Sequence, residues 1–183
     1  MDLDLETLHR AEASVDVAAT GRSVALQLPP AEGTDTRPRF LELTLKDAGG
    51  QQVDRNFYWL ARHPDEMNHA EGNWYYTPVT RHADLTALRS LPEASLESRL
   101  ERDEQGLTLH LENKGARLAF FVQLRLSDAR GEDILPVVWS ENYVSLLPGQ
   151  SLKVQAHVPG ADMPEGARVE LSGLNLPRVQ VSG

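Results

Sequence analysis

Apolar and polar residues alternate with a period of two along most of this chain, and that pattern commits it to β-structure. Three runs carry it most cleanly: Arg39-Phe40-Leu41-Glu42-Leu43-Thr44-Leu45-Lys46, Leu107-Thr108-Leu109-His110-Leu111-Glu112 and Leu152-Lys153-Val154-Gln155-Ala156-His157-Val158. Successive side chains of a strand point to opposite faces, so each run offers one face to a core and one to water. Turn residues separate the runs: Asp47-Ala48-Gly49-Gly50, Glu112-Asn113-Lys114-Gly115, Asp128-Ala129-Arg130-Gly131 and Pro148-Gly149. Short strands broken this often argue for antiparallel β-sandwiches. Helical periodicity is confined to Asp84-Leu85-Thr86-Ala87-Leu88-Arg89, with Asp84 placed to cap it.

An internal echo sets the organisation. Leu43-Thr44-Leu45-Lys46-Asp47-Ala48-Gly49-Gly50 matches Leu124-Arg125-Leu126-Ser127-Asp128-Ala129-Arg130-Gly131, and a tryptophan follows each copy, Trp59 and Trp139. Both copies read as strand, tight turn and return strand, hence as two modules of one architecture. The second has seven strand candidates, near 94–101, 106–112, 117–127, 134–139, 142–147, 151–158 and 167–173, a full immunoglobulin-like set. The first has four, near 8–17, 23–28, 39–46 and 52–60, with a polar loop from Pro29 to Pro38 between the second and third. Four strands form one sheet with an uncovered face. The expected fold is all-β: tandem immunoglobulin-like antiparallel β-sandwiches, the first one partial over 1–62, an aromatic-rich linker over 63–83 and a complete sandwich over 84–183. The missing strands of the first module are expected upstream of Met1. Until they are supplied, its apolar faces predict a homodimer through residues 1–60.

Composition narrows the partners. A net charge of -9 repels a phosphate backbone, and no basic stripe offsets it, which argues against nucleic acid. The chain has no cysteine, so disulfides, thiolate metal sites and a cysteine nucleophile are excluded. No apolar run has the length of a membrane span. Met1 to Arg10 lacks the basic start and apolar core of a signal peptide. Either the protein is cytoplasmic, or the chain begins partway through a longer one.

The stretch from Ala61 to Ala83 is not a flexible spacer. It holds His63, His69, Asp65 and Glu66, then Asn73-Trp74-Tyr75-Tyr76-Thr77-Pro78, where a flexible linker would be rich in Gly and Ser. Trp74, Tyr75 and Tyr76 are the candidate site residues. They are expected to be mostly buried, fastening one module to the next or to another part of the protein. The other reading is that they stack on a sugar ring, whose apolar face fits an aromatic plane.

Several stretches carry a family resemblance. They are Arg55-Asn56-Phe57-Tyr58-Trp59-Leu60, Trp74-Tyr75-Tyr76-Thr77-Pro78, Ala119-Phe120-Phe121-Val122, Ile134-Leu135-Pro136-Val137-Val138-Trp139-Ser140-Glu141-Asn142-Tyr143 and Ser145-Leu146-Leu147-Pro148-Gly149-Gln150. In this order they resemble the C-terminal immunoglobulin-like region of exo-β-D-glucosaminidases and related β-mannosidase-type enzymes of glycoside hydrolase family 2. The resemblance implies a parent with a (β/α)₈ barrel that carries two catalytic glutamates, both outside this chain. It therefore implies a non-catalytic region supporting that barrel, with the rest of the glycosidase as partner and no cofactor. The rival reading is a stand-alone carbohydrate-binding or cell-surface module, with polysaccharide as partner.

The residues add no catalytic motif of their own. Glu97, Glu101, Asp103 and Glu104 lie close in sequence but on an exposed strand and turn, where retaining chemistry would need two carboxylates facing across a cleft. The six histidines show no metal-ligand spacing; His63 and His69 beside Asp65 and Glu66 are the one imaginable cluster. His110 and His157 occupy polar strand positions. Core candidates of the second module are Leu109, Leu111, Phe121, Leu124, Leu126, Trp139 and Val154, with Trp59 in the first. Adjacent Phe120 and Phe121 cannot both point inward from a regular strand. Regularity puts Phe120, Val122, Leu124 and Leu126 inside and Phe121 outside; a bulge would bring Phe121 in.

Overall fold

A computed structural model describes residues 1–30, 36–103, 106–160 and 163–181. Its strands, in chain order, are β1 (Arg39–Lys46), β2 (Gln52–Leu60), β3 (Glu66–Met67), β4 (Val79–Arg81), β5 (Glu97–Asp103), β6 (Gly106–Glu112), β7 (Ala119–Ser127), β8 (Val138–Trp139), β9 (Val144–Leu146), β10 (Ser151–His157), β11 (Arg168–Ser172) and β12 (Val179–Val181). A 3₁₀ turn spans Thr86–Ser90, and Asp84 caps it by accepting from the Thr86 N–H at 2.9 Å. Among the described residues no helix is long and apolar enough to cross a membrane. The chain divides into two units, residues 1–88 and 89–183.

The second unit is a two-layer sandwich, with sheets ordered β5-β6-β10-β8 and β12-β11-β7-β9. Its core is the set of inward residues that alternation picked out. Leu107, Leu109, Leu111, Val154 and Ala156 come from one sheet; Val122, Leu124, Leu126, Val169 and Leu171 come from the other. All seven expected strands form, and β12 adds an eighth. Trp139 is half-buried against this core, but it pairs with Ala156 of β10 rather than ending a return strand beside β7.

Strand β7 is not regular. Ala119 pairs with Leu146 and Val122 with Val144, so Phe120 and Phe121 together oppose Ser145. This is a β-bulge. Phe121 sits at φ 54° and donates its N–H to the Ser145 Oγ at 3.2 Å. Phe120, Val122, Leu124 and Leu126 are all buried, as a regular strand would have them. The bulge leaves Phe121 outside instead of drawing it in, and it brings Ala119 beside Val122 in the main core. Phe121 is therefore not a core residue; its ring packs on Tyr143, with centroids 5.0 Å apart.

The first unit holds two small sheets, β1-β2 and β3-β4. β1 and β2 form a hairpin in register from Arg39↔Leu60 to Leu45↔Asp54, with a one-residue shift before Lys46↔Gln52; Phe40 is buried and Trp59 half-buried. The strands expected over 8–17 and 23–28 do not form. Alternation fits a sheet surface but supplies no hydrogen-bonding neighbour, and a strand needs both. Val15, Val17, Val24, Leu26 and Leu28 are exposed there, as are Leu43 and Leu45 on β1.

The echoed turns are the same object. Asp47 Oδ1 accepts from Gly49 and Gln51 N–H, both at 2.9 Å; Asp128 Oδ1 accepts from Arg130 and Glu132 N–H at 2.8 and 2.9 Å. Gly50 and Gly131 adopt φ 82° and 87°, which glycine takes without steric cost.

Candidate functional site

Residues 63–83 build an ordered excursion. β3 and β4 pair antiparallel, and the pairing extends through the Asn68 N–H donating to the Pro78 carbonyl at 2.8 Å. Glu66 and Arg81 form an ion pair across it at 2.5 Å, and Asp65 Oδ1 accepts from the Ala83 N–H at 2.7 Å. At the tip, the Asn73 N–H donates to the Tyr76 carbonyl at 2.8 Å. The Asn73 Oδ1 accepts from the N–H groups of Tyr75 and Tyr76 at 3.2 and 3.1 Å. One asparagine side chain thus fixes the turn that presents all three aromatics.

Those aromatics are not buried. Trp74 is 93% exposed, Tyr75 74% and Tyr76 57%, which overturns the expectation of burial. The tip closes on its own backbone hydrogen bonds, so its rings project outward. Trp74 and Tyr75 meet edge to face at 5.0 Å. Trp74 and Tyr75 each forgo roughly 1.5–3 kcal/mol of hydrophobic burial by staying in water. A flat apolar face with N–H and O–H at its edge can anchor in a protein pocket or stack on a pyranose. At the root of the excursion, Trp59, Leu60, Ala61, Pro64, Asp65, Ala83 and Leu85 line a shallow cleft of about 290 Å³.

The carboxylates near β5 belong to surface ion pairs. Glu97 and Glu112, opposite each other in register, share Lys114 at 2.5 and 3.5 Å; the hydrogen bond that Lys114 donates to Glu97 is the main cause holding the Lys114 pKa above its ordinary value. Glu101 bonds to His110 at 3.2 Å and to Arg99. Those two partners, His110 first, hold its pKa below the ordinary carboxylate value, the opposite of what a general acid requires. Glu104 lies outside the described residues, as does the Asp103 side chain. Among the described residues no three His, Asp or Glu side chains gather where a metal could bind. Asp65 and Glu66 instead tie the excursion together.

Residues 74–176 match the family model described as the exo-β-D-glucosaminidase Ig-fold domain. The chain belongs to that family. Residues 1–63 match a second model, the mannosidase Ig/CBM-like domain. Curated relatives include an exo-β-D-glucosaminidase of Arthroderma benhamiae, 40% identical over 78% of this chain and 16% of its own length. Another, of Streptomyces avermitilis, is 34% identical over 87% of this chain and 20% of its own. Among solved structures, the crystal structure of the Amycolatopsis orientalis exo-chitosanase CsxA aligns with a TM-score of 0.75 at 29% identity, covering 87% of this chain and 20% of that one. The chain thus spans about a fifth of the length of the relatives it matches. The resemblance carried by the NFYWL and LPVVWSENYVSLLPGQ stretches holds: this is the immunoglobulin-like, accessory part of such enzymes.

Sequence reasoning missed three asparagines whose side chains stand in for backbone. Asn113, fully buried, donates to the carbonyls of Arg117 and Leu146 at 2.8 and 2.7 Å. Asn142 exchanges two hydrogen bonds with the Leu124 backbone, at 2.7 and 2.9 Å. Asn175 accepts from the Phe120 N–H at 2.9 Å and donates to the Leu118 and Pro92 carbonyls at 2.8 and 2.7 Å. An Asn beside a turn residue signals a turn equally well, and the pattern alone does not separate the two roles.

Proposed function

We propose that this chain is the non-catalytic, C-terminal immunoglobulin-like region of a family 2 glycosidase of the exo-β-D-glucosaminidase type, and that it supports the catalytic part through the Trp74-Tyr75-Tyr76 tip. The observation that carries the reading is the pair of Ig-like family matches, 1–63 and 74–176, on a chain spanning only about a fifth of its relatives. The exposure of Trp74 supports the second part, because a rigid turn that presents an indole to water is suited to anchor in a pocket. The test expresses the Streptomyces avermitilis relative without its matching fifth and titrates it with this chain. Association that Trp74→Ala weakens by about tenfold or more supports the reading. No association, or association indifferent to Trp74, Tyr75 and Tyr76, counts against it.

The exposed Val15, Val17, Val24, Leu26, Leu28, Leu43 and Leu45 favour a second statement about the isolated chain. Residues 1–60 form a two-fold self-association surface when nothing else covers them. Sedimentation of the whole chain against residues 84–183 tests this; a monomeric whole chain at tens of micromolar refutes it.

A further inference from the structure

The second unit has both of its sheets, so an aromatic ring outside it is not waiting for a sheet layer. Two such rings stand side by side at the bulge: Phe121, 37% exposed, and Tyr143, 49% exposed, with planes inclined by 40°. Both residues have φ 54°, a region that bulky side chains avoid. Each is pinned there, Phe121 by Ser145 and Tyr143 by the Asn142 Oδ1, which accepts its N–H at 2.8 Å. Backbone strain held in place by its surroundings gathers where a side chain has a task beyond packing.

The rest of the face is polar and fixed. Gln123 Nε2 donates to the Tyr143 hydroxyl at 2.9 Å. Ser172 lies opposite Gln123 in register, and Glu170 opposite Arg125. Arg125 is ion-paired with Asp133 at 2.5 Å and with Glu170 at 3.7 Å. A protein partner would have to bury this charged row, and charged residues are depleted at the centres of protein interfaces. A sugar needs the opposite: one apolar platform about the size of a pyranose, bordered by planar hydrogen-bonding groups.

We propose that this face binds a β-linked glucosamine oligomer, one ring stacked on Phe121 and Tyr143, its hydroxyls meeting Gln123, Ser172 and Arg125 and its ammonium meeting the Glu170 carboxylate. The amino-sugar class rests on the accessory-region reading above, and the net charge of -9 adds long-range attraction for a polycation. Hexaglucosamine is titrated into the whole isotopically labelled chain, with the glucose hexamer as control. The site predicts saturable shifts at the amides of residues 121–125 and 143, stronger for the amino sugar. Phe121→Asn and Tyr143→Asn keep a residue that tolerates positive φ and should each weaken binding by about tenfold. Because the shifts are read on the unaltered chain, a variant that fails to fold leaves the test standing. Shifts confined to residues 74–76, none up to about 10 mM sugar, or equal response to both hexamers overturn the proposal. Any of these would leave the accessory reading untouched, since that is tested by association with the remainder of the enzyme.

Discussion

Asn113→Ala should be among the most damaging single changes in the second unit. The side chain is fully buried and makes three hydrogen bonds: donations to the Leu146 and Arg117 carbonyls, and acceptance from the Gly115 N–H at 3.1 Å. Its own backbone adds the Asn113 N–H to Gln150 carbonyl bond at 2.9 Å and receives the Gly149 N–H at 2.7 Å. The residue therefore ties the β6–β7 crossover to the β9–β10 turn. Alanine keeps the backbone bonds and deletes the rest. Leu146 is itself fully buried, so its carbonyl loses a partner that water cannot replace, at a cost of about 1–3 kcal/mol. The two more accessible bonds add about 1 kcal/mol each, for a total of about 3–5 kcal/mol. Asn113→Asp should do worse at neutral pH, because a carboxylate cannot donate to either carbonyl and is charged where it sits. Native-state hydrogen exchange at Leu109 and Leu124 reads this unit without interference from the other. A loss below about 1 kcal/mol for Asn113→Ala would refute the argument that the amide substitutes for backbone.

Gly106 has φ 143°, and a Cβ there would drive into the Ala156 carbonyl oxygen; Gly106→Ala should disrupt the central β6–β10 pairing and cost several kcal/mol, seen as a drop in the thermal midpoint. Phe120→Ala should cost about 3–5 kcal/mol against about 1–2 for half-exposed Phe121→Ala by urea titration; the reverse order would mean the bulge is misassigned. The pKa of Asp128 is held below its ordinary 3.8, first by the Glu132 N–H and then by Arg130. A depressed folded-state pKa contributes stability above the unfolded value and loses it as pH falls through the folded one. Asp128→Ala should therefore show a shallower acid limb below pH 3.8, and an unchanged limb would show that the turn does not depend on the charge.

The fold was legible where one face of a strand is buried. Leu109, Leu111, Leu124, Leu126 and Val154 went to the core because period two leaves them no other face. The same rule failed over residues 8–28, where the pattern was present and the neighbouring strand was not. It also could not see that Phe121 takes a left-handed backbone, since the bulge depends on Ser145 lying across the sheet. The tip residues Trp74, Tyr75 and Tyr76 stand out in the sequence as a run of aromatics, but their exposure follows from one short-range fact, the Asn73 turn, that hydrophobicity does not encode.

The central proposal is that this chain accompanies catalysis without performing it. The most direct measurement is turnover of an aryl β-D-glucosaminide by the whole purified chain alone. The account predicts no rate above the uncatalysed reaction, because Glu97, Glu101 and Asp133 are engaged in surface ion pairs rather than facing each other across a cleft. A reproducible rate abolished by a single Asp or Glu substitution within this chain would contradict it.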